Sequence, residues 1–107
     1  MPVSISLVIP TYNRAHLIAE TLDAALQQTR AFAEIIVVDD GSTDHTAEVL
    51  APYADRVRVI RSANGGVQAA RNKGVHAASS EYVTLCDSDD ILEPQFVETM
   101  SLSLIHI

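Results

Sequence analysis

Four short apolar runs, Ile5 to Ile9, Ile35 to Val38, Val57 to Ile60 and Tyr82 to Cys86, alternate with stretches of helical periodicity, and this alternation restricts the fold more than any other feature. Each run is rich in β-branched or other apolar residues and is continuous, the pattern of a strand buried on both faces. Between the first two runs, Leu17, Ile18, Thr21, Leu22, Ala25 and Leu26 recur at three- and four-residue spacing, one apolar stripe on a solvated helix with Asn13 as its N-cap. A second helix is expected after Gly41-Ser42-Thr43-Asp44, whose hydroxyl and carboxylate groups can satisfy free N–H groups, and it runs through Ala47, Val49 and Leu50 until Pro52 shortens it. A third follows Asn64-Gly65-Gly66 and carries Val67, Ala70, Arg71, Gly74, Val75 and Ala78 before Ser79-Ser80, and a fourth begins near Pro94. In a compact domain this order demands parallel pairing through crossover connections. The expected fold class is therefore α/β, a doubly wound parallel sheet.

Composition excludes several functions. With 107 residues the chain has room for one domain of modest core. Its net charge of -7, with only seven scattered basic residues, argues against nucleic acid, which needs clustered Lys and Arg. Cys86 is the only cysteine, so no internal disulfide forms, and its place at the end of an apolar run makes it a small buried hydrophobe. No apolar stretch reaches the length of a membrane span, and Met1-Pro2-Val3-Ser4 lacks the features of a signal peptide. The expected location is cytoplasmic, with a peripheral place at the inner face of the plasma membrane left open. His16, His45, His76 and His106 show no metal-ligand spacing and are expected at the surface.

The chemistry-bearing residues follow the apolar runs, where an open parallel sheet binds its ligands. After the first run comes Pro10-Thr11-Tyr12-Asn13-Arg14, after the second Asp39-Asp40-Gly41-Ser42-Thr43-Asp44, after the third Arg61-Ser62-Ala63-Asn64-Gly65-Gly66, and after the fourth Asp87-Ser88-Asp89-Asp90. Aspartates one residue apart repel each other unless a cation lies between them, and a hard divalent ion such as Mg²⁺ or Mn²⁺ prefers such oxygen ligands together with phosphate. The other reading of this cluster is an Asp-rich turn capping the helix near Pro94. Asp39-Asp40-Gly41-Ser42 fits either base recognition by a carboxylate or a turn with a helix cap. Tyr12 offers either a stacking face or a half-buried core ring, and Arg71 can lie over a solvated helix face with its stem on the sheet. Together the four loops are consistent with one nucleotide.

Ser6 to Arg14, Glu34 to Asp44, Asn64-Gly65-Gly66 with Ala70-Arg71-Asn72-Lys73-Gly74, and Asp87-Ser88-Asp89-Asp90 strongly resemble, in order, the motifs of family 2 glycosyltransferases. The resemblance implies the nucleotide-binding half of the GT-A architecture. It also implies transfer of a sugar, with inversion, from a nucleoside diphosphate sugar, a UDP-sugar in the leading reading, to a glycan or lipid-linked acceptor in cell-envelope polysaccharide synthesis. Carried over by position, Pro10, Thr11 and Tyr12 resemble the loop contacting base and ribose, and Asp40, with Asp39 beside it, the carboxylate that reads the base. Arg14, Gly66, Arg71 and Ser88 belong to the same nucleotide-sugar-binding set. Asp87 and Asp89 match the outer members of a D-x-D motif, Asp89 as metal ligand and Asp87 shared between metal and ribose, with Mg²⁺ or Mn²⁺ as cofactor.

The family's catalytic base follows the D-x-D loop at a distance, so it is expected beyond the end of this chain, and residues 1–107 are expected to be inactive alone. Residues 1–101 are read as an incomplete nucleotide-sugar-binding domain. Leu102-Ser103-Leu104-Ile105-His106-Ile107 abandons the developing helix and resembles a reading frame through a transposon-end sequencing adapter, hence a non-native tail. A non-catalytic nucleotide-binding module is the alternative function. A dinucleotide oxidoreductase is disfavoured because Pro10-Thr11-Tyr12-Asn13-Arg14 lacks the glycines that admit a pyrophosphate, and an aspartyl phosphoryl-transfer enzyme because its D-x-D follows the first strand.

Overall fold

The computed structural model describes residues 3–105 and contains β1 (Ile5–Thr11), α1 (Ile18–Leu26), β2 (Glu34–Asp39), α2 (Thr46–Leu50), a 3-10 turn over Ala51–Tyr53, β3 (Arg58–Arg61), α3 (Val67–Ala77), β4 (Tyr82–Leu85) and α4 (Phe96–Ile105). The strands form one parallel sheet in the order β3-β2-β1-β4, so the doubly wound α/β expectation is met. Chain direction in the sheet reverses its lateral progress at β1. A crevice forms where such an order switches, outside the carboxyl ends of the strands.

Side chains on β1 and β2 alternate between two apolar layers, as strand geometry requires. Ile5, Leu7, Ile9, Ile35 and Val37 pack with Ile18 and Leu22 of α1, Leu50 of α2, Tyr53 and Val97 of α4. Val8, Ile36 and Val38 pack on the other face with Ala70 of α3. Each large aliphatic side chain buried this way contributes roughly 1.5–3 kcal/mol. Gly74 brings α3 down onto that face, since a Cβ there would come within 2.2 Å of Val8 Cγ1.

The expectation of four strands buried on both faces holds only for β1 and β2. Strands β3 and β4 are mostly exposed because they are the sheet edges and α3 lies over β1 and β2. Val83 and Leu85 of β4 are 37% and 48% exposed. A continuous apolar run therefore marked a strand without marking its depth.

Two local expectations also change. Asn13 is not the N-cap of α1: it adopts a φ of 52°, and its Oδ1 accepts hydrogen bonds from the N–H groups of Thr43 (2.8 Å) and Asp44 (3.3 Å). The first turn before α1 closes instead on the Arg14 carbonyl, which accepts from the N–H groups of Leu17 and Ile18, each at 2.9 Å. Helix α4 is not abandoned at Leu102. It runs through Ile105, because Val97, Met100 and Leu104 continue one apolar stripe against the core. His106 and Ile107 of the expected tail lie outside the described residues.

Pro10 lies inside β1, where a proline normally costs a ladder bond. Backbone carbonyls of β1 and the residue before it alternate in direction: those of Ser4 and Val8 accept from Tyr82 and Cys86 on the β4 side, those of Ile5 and Thr11 from Ala33 and Asp40 on the β2 side. Pro10 falls on the β4 side, and the β1–β4 pairing ends at Val8↔Leu85. No ladder bond is lost, since the N–H that proline lacks would face a gap.

Candidate functional site

A cleft of about 450 Å³ opens in that gap, lined by Pro10, Thr11, Tyr12, Arg14, Asp40, Asn64, Gly66, Val67, Ala70, Asp87, Ser88 and Asp89. Pro10 and Thr11 form the end of β1, Asp40 follows β2, Gly66 precedes α3, and Asp87 to Asp89 follow β4. The cleft thus collects nine of the residues singled out from sequence. Tyr12 is 41% exposed, belongs to neither core layer and lines the cleft.

Asp39 and Asp40 part company because consecutive strand residues face opposite sides. Asp39 does not line the cleft: its Oδ1 accepts from the Ser42 N–H at 3.0 Å, and its Oδ2 lies 3.5 Å from Arg61, in the layer of α2. It closes the turn, while Arg61 also donates to the Ser42 carbonyl at 3.0 Å. Asp40 turns to the α3 side, where its two oxygens accept from the N–H groups of Gly65 (2.9 Å) and Gly66 (3.0 Å). The carboxylate therefore sets the loop that enters α3, and each oxygen keeps a second lone pair for a ligand donor.

The loops of the cleft are tied to each other as well as to the sheet. Ser42 Oγ accepts from the Asn13 N–H at 2.9 Å, and Asp44 accepts from the Ala15 and Thr46 N–H groups at 3.3 and 3.0 Å. The Thr46 side chain leads the contacts that hold the Asp44 carboxyl below its ordinary range. Gly41 permits this arrangement at φ 74°, with a Cβ otherwise 2.8 Å from the Asn64 nitrogen. Thr11 lines the cleft, while its buried hydroxyl, on the same side of the sheet as Asp39, has no hydrogen-bond partner among the described residues.

Asp87, Asp89 and Asp90 are exposed, and one oxygen of each can lie within 4.8 Å of the others. This all-oxygen donor set suits a hard divalent cation. The loop is a turn in which the Asp90 N–H donates to the Asp87 carbonyl at 3.0 Å and the Asp87 N–H to Asp90 Oδ2 at 3.3 Å. Arg71 is outside the cleft lining but reaches Asp87 Oδ1 at 3.3 Å, so it neither lies free over its helix nor faces the cleft directly. Burial, reinforced by Asp90, Asp87 and Asp89, pushes the Cys86 thiol up to about 12. Cys86 is buried, and its thiol donates to the Asp87 carbonyl at 3.3 Å, in keeping with an inert role.

Sequence reasoning put Asn64 in a ligand-facing loop without giving it a contact, missed Val67 and Ala70 as cleft residues, and read Thr21 as one more apolar position. Thr21 is buried, and its hydroxyl donates to the carbonyl of Ser88 at 2.8 Å. A hydroxyl in an otherwise apolar stripe needs a partner, and that was the available signal. His16, His45 and His76 are exposed, while His106 is outside the described residues.

Comparison with known proteins agrees with this geometry. The chain is 42% identical over 100 residues to the glycosyltransferase GlyG of Streptococcus pneumoniae, covering 90% of this chain and 33% of GlyG. It thus spans about a third of that relative's length. TarS 1–349 of S. aureus superposes with a TM-score of 0.88 at 30% identity, over 96% of this chain and 32% of TarS, and a further TarS structure contains UDP-GlcNAc. The mannosyltransferase PcManGT of Pyrobaculum calidifontis, solved with GDP-Man and Mn²⁺, superposes at 0.71 and 29% identity over 83% of this chain and 28% of its own. The four-stranded parallel sheet is that of the GT-A glycosyltransferases. No helix among the described residues is long and apolar enough to cross a membrane. The profile of the family described as "Glycosyl transferase family 2" matches residues 6–104, nearly the whole chain, and the chain belongs to that family.

Proposed function

We propose that the cleft binds a nucleoside diphosphate sugar, a UDP-sugar, together with Mg²⁺ or Mn²⁺, and that the whole protein transfers the sugar to a glycan or lipid-linked acceptor hydroxyl with inversion. The observation that carries this reading is the meeting, in one cleft, of Tyr12, Asp40 and the acidic Asp87–Asp89 loop. TarS, which is more similar to this chain than PcManGT is, has been solved with UDP-GlcNAc, which favours uracil over guanine here.

The residues divide the ligand between them. Tyr12 offers a stacking face to the base, Asp40 accepts its N–H, and Thr11 lines the same part of the cleft. Asp89 and Asp87 hold the cation, with Asp90 in reach as a third carboxylate. When bound, the cation screens the diphosphate and stabilises the charge that develops on it as it leaves. Arg71 orients Asp87 from outside, and Arg14 supplies the cleft with a positive side chain. The carboxylates lining the cleft are Asp40, Asp87 and Asp89, all engaged by these roles, so residues 1–107 bind the donor without supplying a base to the acceptor.

Calorimetric titration of UDP and UDP-GlcNAc with and without Mn²⁺, on the wild type and Asp89→Asn, tests the reading. Binding should depend on Mn²⁺ and weaken at least about tenfold in Asp89→Asn, since a charged ligand is replaced by a neutral one. Equal binding in all conditions would sink the cation assignment.

A further inference from the structure

We propose that Thr21, in the middle of α1, is a positioning residue for the cation-binding loop, an inference that rests on the reading of Asp87 and Asp89 as metal ligands. Thr21 is 1% exposed and 67 residues away in sequence from the residue it touches, Ser88, which stands between the two aspartates. Its hydroxyl donates to the Ser88 carbonyl at 2.8 Å in a buried setting. The peptide that joins Ser88 to Asp89 is planar, so fixing its carbonyl also fixes the direction in which the chain enters Asp89.

The other restraints on the loop are wetter. The Arg71–Asp87 pair and the bond from the Asp87 N–H to Asp90 are both exposed, where competition with water weakens them. The Thr21 bond is sheltered from that competition. Loss of the donor would leave a buried carbonyl unsatisfied, which is the expensive outcome for a buried polar group. A helical threonine commonly returns its hydroxyl to the carbonyl four residues before it, and here the hydroxyl reaches across to another element instead.

The region after α1 continues the same restraint. Gln28 donates from Nε2 to the Glu93 carbonyl at 2.8 Å and accepts at Oε1 from the Val97 N–H at 3.0 Å, and the Thr29 N–H donates to the Pro94 carbonyl at 2.8 Å. The acidic loop thus leaves the sheet at β4 and is held at Ser88 and again at Glu93 and Pro94, each time by α1 or the residues just after it. Rigid support of a ligand loop by such outer contacts governs how well it holds a metal.

The test compares wild type with Thr21→Val, which keeps the shape but removes the hydroxyl, Thr21→Ala, a second hydroxyl-free variant, and Thr21→Ser, which keeps the hydroxyl. Mn²⁺ is titrated into each chain in the presence of UDP, with free Mn²⁺ followed by electron paramagnetic resonance. Uridine affinity without metal and hydrogen exchange of the 87–91 amides are measured in parallel. Thr21→Val and Thr21→Ala should raise the half-saturating Mn²⁺ concentration about tenfold and speed loop exchange, with uridine affinity unchanged and Thr21→Ser within about twofold of wild type. A Mn²⁺ midpoint unmoved in Thr21→Val, an equal loss of uridine affinity, or a Thr21→Ser variant as impaired as Thr21→Val would each overturn the proposal. If the wild type itself takes up no Mn²⁺, the cation-site reading fails. Loop exchange then decides positioning separately, and equal 87–91 exchange in wild type and Thr21→Val overturns it.

Discussion

The two ends of the β1–β2 pair both carry acidic side chains, and they treat them in opposite ways. At the amino end, Glu34 Oε1 accepts from the Ser79 N–H at 2.6 Å, the Ser6 hydroxyl at 2.7 Å and the Ser79 hydroxyl at 3.2 Å. Ser6 is fully buried and its hydroxyl is satisfied by this contact, and the α3–β4 connection is tied back to β2. At the carboxyl end, Asp40 also accepts two backbone N–H groups, but it faces a cleft that also holds the exposed Asp87 and Asp89. One end closes on itself, while the other retains hydrogen-bonding and charge capacity that the protein does not use. Residue type alone does not separate a structural carboxylate from a ligand-binding one; the completeness of its surroundings does.

Asp40→Ala provides the largest expected perturbation of this contrast. It removes a base acceptor and frees the Gly65 and Gly66 N–H groups, so uridine binding should fall by about 1–3 kcal/mol, roughly five- to 150-fold. Titration of uridine, UMP and UDP against wild type and mutant checks it. A loss seen only with UDP would move Asp40 from the base to the diphosphate and cation.

Much of this was legible in the sequence, and the exceptions have physical causes. Parity along β2 implied that Asp39 and Asp40 face opposite layers, yet the two were grouped because both follow an apolar run. The depth of β3 and β4 was hidden because strand apolarity reports propensity to pair, whereas burial depends on which strands the helices cover. Asn13 looked like a cap because its side chain favours turns, but its partners lie 30 residues on in the β2–α2 loop, a distance no local pattern reveals. The cleft loops were readable because their residues are unusual for the ends of strands.

Glu34→Gln should perturb the closed end alone, by a smaller amount. The Ser79 N–H bond leads the contacts that lower the Glu34 carboxyl below 4.5, so its charged form is favoured by folding. The resulting stability is present above the ordinary pH of 4.5 and is lost as pH falls through the lower folded value. Denaturant unfolding at pH 7 should show a loss of about 0.5–1.5 kcal/mol that narrows in acid, with uridine affinity unchanged. A parallel drop in uridine affinity would mean that the two ends are not independent.

Cys86 gives the smallest expected effect. With its thiol pushed up to about 12 by burial and the surrounding carboxylates, the folded chain should resist alkylation by iodoacetamide at pH 8 and react only on unfolding. Rapid modification of the native chain would show that the open end is looser around β4 than the sheet pairing implies.

Pro10 gives the binding end its shape through what it withholds. Two parallel strands that share a register tend to zip together for as long as both offer donors and acceptors. Here the zipper between β1 and β4 stops at Val8↔Leu85, and the next residue of β1 on that side has no hydrogen to offer. A single imino acid thus keeps the sheet forked at its central strand, and leaves on that wall of the cleft a backbone position that neither another strand nor a water can claim as a donor.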